Sequence, residues 1–367
     1  MKVALIHDHL AQDGGAEKVL QVFCDMYREA PIYTLLYEPK NVEKNYKNRH
    51  IETSIIQKMP GGVKHYRWYL VFMPMAVEFF DLRPYDVVIS DASAFAKGVI
   101  TSTKTLHICY CHTPTRYLWS DTHQYINELH YNKYFKKIIA LSLSFLRMWD
   151  HGAADRVDYY IANSNFIAKR IKKYYNRDSA VIYPPVEVDN FYISESLGDY
   201  YLIGARLVPY KRFDIVIEAF KKNGKKLKIY GDGIDGPRLK KLAEGYGNIE
   251  FLGRVSDEER AKLMAECLAF IHAPEEDFGI TIVEAQASGR PVIAYDSGGA
   301  KELIKQGVTG EFFPEQTADS LQLALDVFDP TKYAPSVLRA HAETFSTERF
   351  KQEIESFVAE KQKEYFS

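Results

Sequence analysis

Pro184-Pro185 divides the chain, and what stands on either side of it constrains the fold more than any other feature. Adjacent prolines fix φ, remove two backbone donors and hold the preceding residue extended, so regular structure stops there. Before them, short apolar runs alternate with helix-length segments, the runs falling at residues 3–6, 32–37, 85–90, 105–111, 159–164 and 180–183. After them the alternation restarts with YYLIGARLVPYKRFDIVIEAF, KLKIYGDG and IEFLGRVSDEE, and continues through runs at 268–272 and 291–295. Strands alternating with helices build parallel sheets covered by helices. Two such series joined by one extended linker predict two Rossmann-like α/β domains, residues 1–186 and 187–346. The last helical stretch, 347–364, is charged on one side and apolar on the other. At 367 residues the chain also exceeds what a single core usually supports.

Composition narrows the class. Lys plus Arg number 47 against 49 Asp plus Glu, a net charge of −2, which argues against a general nucleic-acid binder. The hydrophobic share of 46% and charged share of 26% are those of an ordinary soluble globular protein. The 26 tyrosines suit polar-aromatic surfaces for sugars or membrane interfaces. Cys24, Cys109, Cys111 and Cys267 have no disulfide-framework spacing. Cys109 and Cys111 aim to one face of a strand beside His112, but no second ligand cluster accompanies them, so buried reduced thiols are expected. MKVALIHDHL begins as a strand and not as a signal peptide, and the apolar run 138–146 is too short to span a bilayer. A cytoplasmic protein is expected.

Chemistry-bearing residues cluster where strands end. Gly14-Gly15 lies between the first strand and first helix, where missing Cβ atoms let backbone approach a ligand. The run 105–111 leads straight into His112-Thr113-Pro114-Thr115-Arg116-Tyr117-Leu118-Trp119, placing a histidine at the carboxyl end of a parallel strand. In the second half, Arg206 and Lys211 flank a proline-bearing turn, so both are expected to point into one crevice. Two fixed cations would neutralise a diphosphate leaving group without a metal, at ~3–4 kcal/mol each if they act like other preorganised donors. Residues 271–299, IHAPEEDFGITIVEAQASGRPVIAYDSGG, read as strand end, acidic loop, helix, turn, strand and glycine pair. A helix N-terminus suits a phosphate, and Glu276 before it with Glu284 inside it would offer acceptors to sugar hydroxyls. Neither glutamate is expected to be needed for the core. Gly231-Asp232-Gly233-Ile234-Asp235-Gly236 matches G-x-G-x-x-G, the signature of a dinucleotide site. Its position inside the second domain and Pro237 immediately after it argue against an NAD-dependent oxidoreductase. Arg254-Val255 follows the strand-like run IEFLG.

Glu-x7-Glu set as E-D-F-G-x4-E-A-x-A-x-G-x-P-V resembles the donor-binding motif of retaining glycosyltransferases with the GT-B fold (glycosyltransferase family 4). G-R-L-x-x-x-K at 204–211 is similar to that family's phosphate-binding pair. H-T-P-x-R-Y-L-W resembles a subset, bacterial mannosyltransferases that build O-antigen and capsular polysaccharide from GDP-mannose. The resemblance covers nearly the whole chain. It implies a GT-B fold, two Rossmann-like domains facing each other across a cleft, with the last helix crossing back to brace the first domain. It implies retaining α-mannosyl transfer from GDP-mannose to a growing, lipid-linked saccharide, without a metal or other cofactor. By it, Glu276 holds the donor hexose and Glu284 the ribose, and His112 lies close to the anomeric carbon. Gly14, Gly15, Asp277, Phe278, Gly279, Ile280, Arg254 and Val255 complete the donor site. Front-face attack, with the leaving phosphate taking the acceptor's proton, is one route, and a covalent carboxylate intermediate is the other. A UDP-hexose donor and a non-catalytic sugar-nucleotide-binding protein are the alternatives.

Two segments mix basic and aromatic residues. Residues 58–80 carry Lys58, Lys64, His65 and Arg67 among Trp68, Tyr69, Phe72, Phe79 and Phe80. Residues 130–149 carry Lys133, Lys136, Lys137 and Arg147 beside Tyr134, Phe135 and Trp149. Both fit an anionic membrane surface, and the first fits a core helix with a snorkelling edge equally well. A peripheral place at the inner face of the plasma membrane follows from the first of these readings.

Overall fold

The computed structural model describes residues 1–12, 14–123, 126 and 132–367, apart from the side chains of residues 41, 43, 44 and 135. Asp13, beside the glycine pair, and His130 and Tyr131, at the head of the second basic-aromatic segment, lie outside the described residues. The chain forms two compact units, one of Met1–Tyr183 with Phe350–Ser367, the other of Pro184–Arg349.

Among the described residues the first unit holds a seven-stranded parallel sheet. Its strands are β1 (Val3–Leu10), β2 (Ile32–Tyr37), β3 (Ile51–Thr53), β4 (Val87–Ala92), β5 (Leu106–Cys111), β6 (Tyr159–Ala162) and β7 (Ser179–Val181). Their spatial order is β3-β2-β1-β4-β5-β6-β7. Every residue of β4 and β5 is buried, as befits a parallel sheet covered on both faces. β1 runs on to Leu10, so His7, Asp8 and His9 lie within it instead of beyond its end. The polar residues keep their place in the sheet because His7 and Asp8 find buried partners. Ser164 caps the helix Asn165–Tyr175, its hydroxyl accepting the Ile167 N–H, worth about 1 kcal/mol. The last helix, Thr347–Phe366, buries Phe350, Ile354 and Val358 at four-residue intervals. Phe350 packs edge-on against Phe23 of the helix Gly15–Met26 and against Tyr110 of β5.

The second unit holds a six-stranded parallel sheet among the described residues, ordered β10-β9-β8-β11-β12-β13. These are β8 (Tyr200–Gly204), β9 (Lys226–Tyr230), β10 (Ile249–Gly253), β11 (Phe270–His272), β12 (Val292–Tyr295) and β13 (Gly310–Phe313). In each sheet the strand order reverses once, between β1 and β4 in the first and between β8 and β11 in the second. Such a reversal splays the following loops apart and leaves a crevice at the carboxyl ends of the two strands. The four cysteines are buried free thiols.

Candidate active site

The reversal in the first sheet is occupied by a chain of charged groups. His7 on β1 and Asp91 on β4 stand opposite each other in register, and His7 Nδ1 lies 2.8 Å from Asp91 Oδ2. The other oxygen, Oδ1, is 2.5 Å from Nε2 of His112, which follows β5 directly. His7 Nε2 reaches to 3.8 Å from Glu17 Oε1, and Glu17 Oε2 accepts the Gly14 N–H at 3.0 Å. A continuous series therefore links His112 to the glycine loop through Asp91, His7 and Glu17. Burial alone pushes the His7 imidazole down, but its hydrogen bonds and charge interactions with Asp91 and Glu17 outweigh this and raise it to about 10. Burial pushes Asp91 up, yet the charges and hydrogen bonds of His112 and His7 hold it below the usual carboxylate range. An imidazolium thus sits between two carboxylates, and Asp91 fixes which way the His112 ring faces. Beside it, Asp8 accepts four backbone N–H groups, those of Ser93, Ala94, Phe95 and Ala96, at 2.7–2.8 Å. That carboxylate sets the turn after β4.

The loop after His112 is anchored from below. Asp150, on the helix Lys133–Ala154, is 1% exposed and accepts from Thr115 Oγ1 at 2.9 Å and Trp119 Nε1 at 2.7 Å. Tyr175 OH and Lys97 Nζ complete its shell at 2.9 and 2.5 Å. Thr115 and Trp119 of the H-T-P-x-R-Y-L-W phrase therefore hold the loop, and of that phrase it is His112 that meets Asp91.

The reversal in the second sheet brings Lys211 and Glu276 together. Lys211 lies on the turn after β8 and Glu276 on the loop after β11, and their side chains form an ion pair. His272 ends β11 with its Nε2 3.7 Å from Glu276 Oε2. That nitrogen is buried and has no hydrogen-bond partner among the described residues. Burial first, and the Lys211 charge second, push the His272 imidazole down to about 3, so the ring is neutral. Gly204, Ala205, Lys211, His272, Pro274 and Thr281 line a small depression here. Arg206 stands exposed on the same loop as Lys211.

The acidic loop is shaped by glycines. Gly279, at φ 106°, starts the helix Ile280–Ala287, in a left-handed conformation that a side chain would strain. A Cβ on Gly298 would lie 2.3 Å from the Glu276 carbonyl oxygen, which also accepts the Gly299 N–H at 2.8 Å. The glycine pair after β12 thus clamps residues 276–278, while Phe278 is buried and stands edge-on to Phe345. Asp277 and Ile280 are half-buried on either side. The sequence match to a dinucleotide signature has a packing cause as well. Cβ atoms on Gly231 and Gly233 would fall 1.9 and 2.2 Å from the carbonyl oxygens of Ala205 and Leu207. Those glycines seat the loop that carries Arg206.

Glu284 corrects an expectation. It is 2% exposed and receives Arg260 Nη1 at 3.1 and 3.2 Å, so it belongs to a buried ion pair. Its burial in the second unit departs from the expectation that neither glutamate is needed for the core. Arg254 is on an exposed rim, its Nε 3.9 Å from Asp232 Oδ2, and Val255 beside it is half-buried. Sequence reasoning did not find His7, Glu17, Asp91, His272 or Arg260. The signal for the first, third and fourth was present: each is a titratable residue at or near the carboxyl end of an apolar strand, as in ALIHDH, VVISDA and FIHAP.

Residues 13–190 match the family model described as Glycosyltransferase Family 4, and residues 196–328 match Glycosyl transferases group 1. With its two parallel-sheet Rossmann-like domains, the chain is a glycosyltransferase of the GT-B fold. It is similar to the alpha-1,3/1,6-mannosyltransferase ALG2 of Dictyostelium discoideum, 24% identical over an alignment of 379 positions that covers 84% of this chain and 85% of that protein. It is also similar to a GDP-mannose-dependent alpha-mannosyltransferase of Mycobacterium tuberculosis, 37% identical over 110 residues, 30% of this chain and 28% of that one. Among solved structures, Anabaena HepE in complex with UDP matches with a TM-score of 0.73 at 20% identity, over 98% of this chain and 100% of that chain.

Proposed function

We propose that this glycosyltransferase is a retaining mannosyltransferase, moving α-mannose from GDP-mannose to a growing lipid-linked saccharide of a bacterial surface polysaccharide. The observation that carries the donor site is the Lys211–Glu276 pair beside the unpartnered Nε2 of His272, at the strand reversal of the second sheet. A buried polar atom without a partner is costly unless a ligand completes it. A sugar hydroxyl at this place would donate to the Glu276 carboxylate or pair with His272 Nε2, a partner for that buried nitrogen that the unliganded protein does not supply. Lys211, with Arg206 on the same loop, would meet the diphosphate, neutralising the charge that develops as the bond from C1 to phosphate oxygen breaks. The acceptor oxygen forms the new bond to C1 and its proton passes to the departing phosphate. No metal is needed in this scheme.

Mannose is supported by the names of both mannosyltransferase relatives, guanine by that of the Mycobacterium tuberculosis protein, and both by the resemblance carried by the H-T-P-x-R-Y-L-W phrase. The match to HepE, solved with UDP and UDP-glucose, speaks to the fold and not to the base at this identity. Titration calorimetry tests the donor: GDP and GDP-mannose should bind, and Lys211→Ala should weaken both. Tight binding of UDP-glucose with no response to either guanine ligand would favour the UDP-hexose reading instead.

A further inference from the structure

We infer that the first unit carries a docking face for an anionic lipid bilayer, built from the outward side of the helix Lys133–Ala154 and the neighbouring segment 66–79. The inference deepens the proposed function, since a lipid-linked acceptor is met at such a surface. Its basis is a helix that is apolar on the wrong side. Leu143 and Leu146 are fully buried and hold the helix to the sheet. An ordinary surface helix then presents polar residues to water. Here Tyr134, Ile138, Leu141, Phe145 and Met148 face outward, at intervals of four, three, four and three residues, and each is 55–73% exposed. Trp68, Phe72, Met75 and Phe79 form a second exposed strip at 45–76%. The two strips sit on adjoining elements, because Trp149 Nε1 and Arg156 Nη1 both donate to Glu78 Oε1, at 2.8 and 2.6 Å. Exposed apolar patches of this extent mark interaction surfaces.

Charge selects the occupant. Residues 54–77 and 132–149 contain no Asp or Glu, whereas Lys58, Lys64, Arg67, Lys133 and Lys137 are all exposed there. The chain as a whole has 47 basic and 49 acidic side chains, so this cationic face is a local concentration. Two copies meeting through it would set cations against cations, since Glu78, the acid within segment 66–79, is already bound to Trp149 and Arg156. An anionic bilayer satisfies both features: apolar side chains enter the acyl boundary while lysines meet headgroup phosphates.

Flotation of the full chain with phosphatidylcholine vesicles, with and without phosphatidylglycerol, is the test. Binding should require phosphatidylglycerol and weaken as salt rises. Lys133→Ala/Lys137→Ala should weaken it about thirty-fold, from about 1 kcal/mol per cation. Leu141→Ser/Phe145→Ser should abolish it, with the melting curve kept because both side chains are exposed. In both variants, release of GDP from GDP-mannose should match wild type, so failure of the donor assignment and failure of this surface read out separately. No binding to anionic vesicles, or binding indifferent to both variants, overturns the inference. So does a vesicle-free dimer that the Leu141→Ser/Phe145→Ser variant dissolves, which would make a second copy the occupant.

Discussion

Glu284→Ala deletes one member of a buried ion pair and leaves the other. Removing one partner of such a pair typically costs about 3–5 kcal/mol, because the remaining charge has lost its counterion in a poorly solvated place. Arg260 is not wholly stranded, since its Nη2 also meets Asp257 Oδ1 at 2.9 Å and its side chain retains 20% exposure. The expected loss therefore sits at or below the foot of that range, at about 2–3 kcal/mol. Arg260→Met/Glu284→Met removes both charges together and should return stability to within about 1 kcal/mol of wild type. Urea unfolding followed by far-UV circular dichroism reads both units. Tryptophan emission reads the first alone, because Trp68, Trp119 and Trp149 all lie there. The Glu284→Ala destabilisation should show in the dichroism. A loss below about 0.5 kcal/mol, the usual size of a surface substitution, would refute the reasoning. The folded double variant then isolates the ligand role: if Glu284 holds the ribose, that variant unfolds normally and has lost donor affinity.

Three further outcomes follow. Glu276→Ala should lower kcat about a hundred-fold or more while donor KM changes little, as for a group that acts mainly on the transition state, and steady-state kinetics at saturating donor checks it. Turnover should persist in EDTA, with no gain on adding magnesium or manganese, because the proposed charge neutralisation rests on Arg206 and Lys211. The His7 imidazolium, raised from 6.5 to about 10, adds stability that is complete below pH 6.5 and is lost as pH rises through about 10, on the order of 5 kcal/mol in all. Buried tyrosines and cysteines also titrate at high pH, so the difference between wild type and His7→Gln is the quantity to follow, and it should shrink over that window.

The alternation of strands was legible because parallel strands buried on both faces are written as plain apolar runs; residues 32–37 were read with the bounds that β2 shows. The extension of β1 through His7, Asp8 and His9 was not, because polar residues normally end such a run. What keeps them in the sheet is remote: His7 meets Asp91 84 residues away, and Asp8 binds N–H groups 85 to 88 residues on. The short β13 escaped for another reason, since GEFF alternates too briefly to signal a strand. In the site, Lys211 and Glu276 were legible as individual residues through their motifs. Their pairing depends on which strands lie at the sheet reversal, which only topology fixes. The place of Glu276 before a helix and of Glu284 inside it was legible, but the burial of Glu284 against Arg260 was not, because that partner comes from a different helix 24 residues earlier.

Donor turnover is the decisive measurement. Purified wild type and Lys211→Ala are each given GDP-mannose, GDP-fucose, UDP-glucose and UDP-galactose with a lipid-linked saccharide acceptor, and release of nucleoside diphosphate is followed. The expected result is release from GDP-mannose well above the other donors, and its near loss in Lys211→Ala with the fold intact. Release from a UDP-hexose alone would contradict the donor assignment. No release from any donor, or undiminished release by Lys211→Ala, would contradict the site itself.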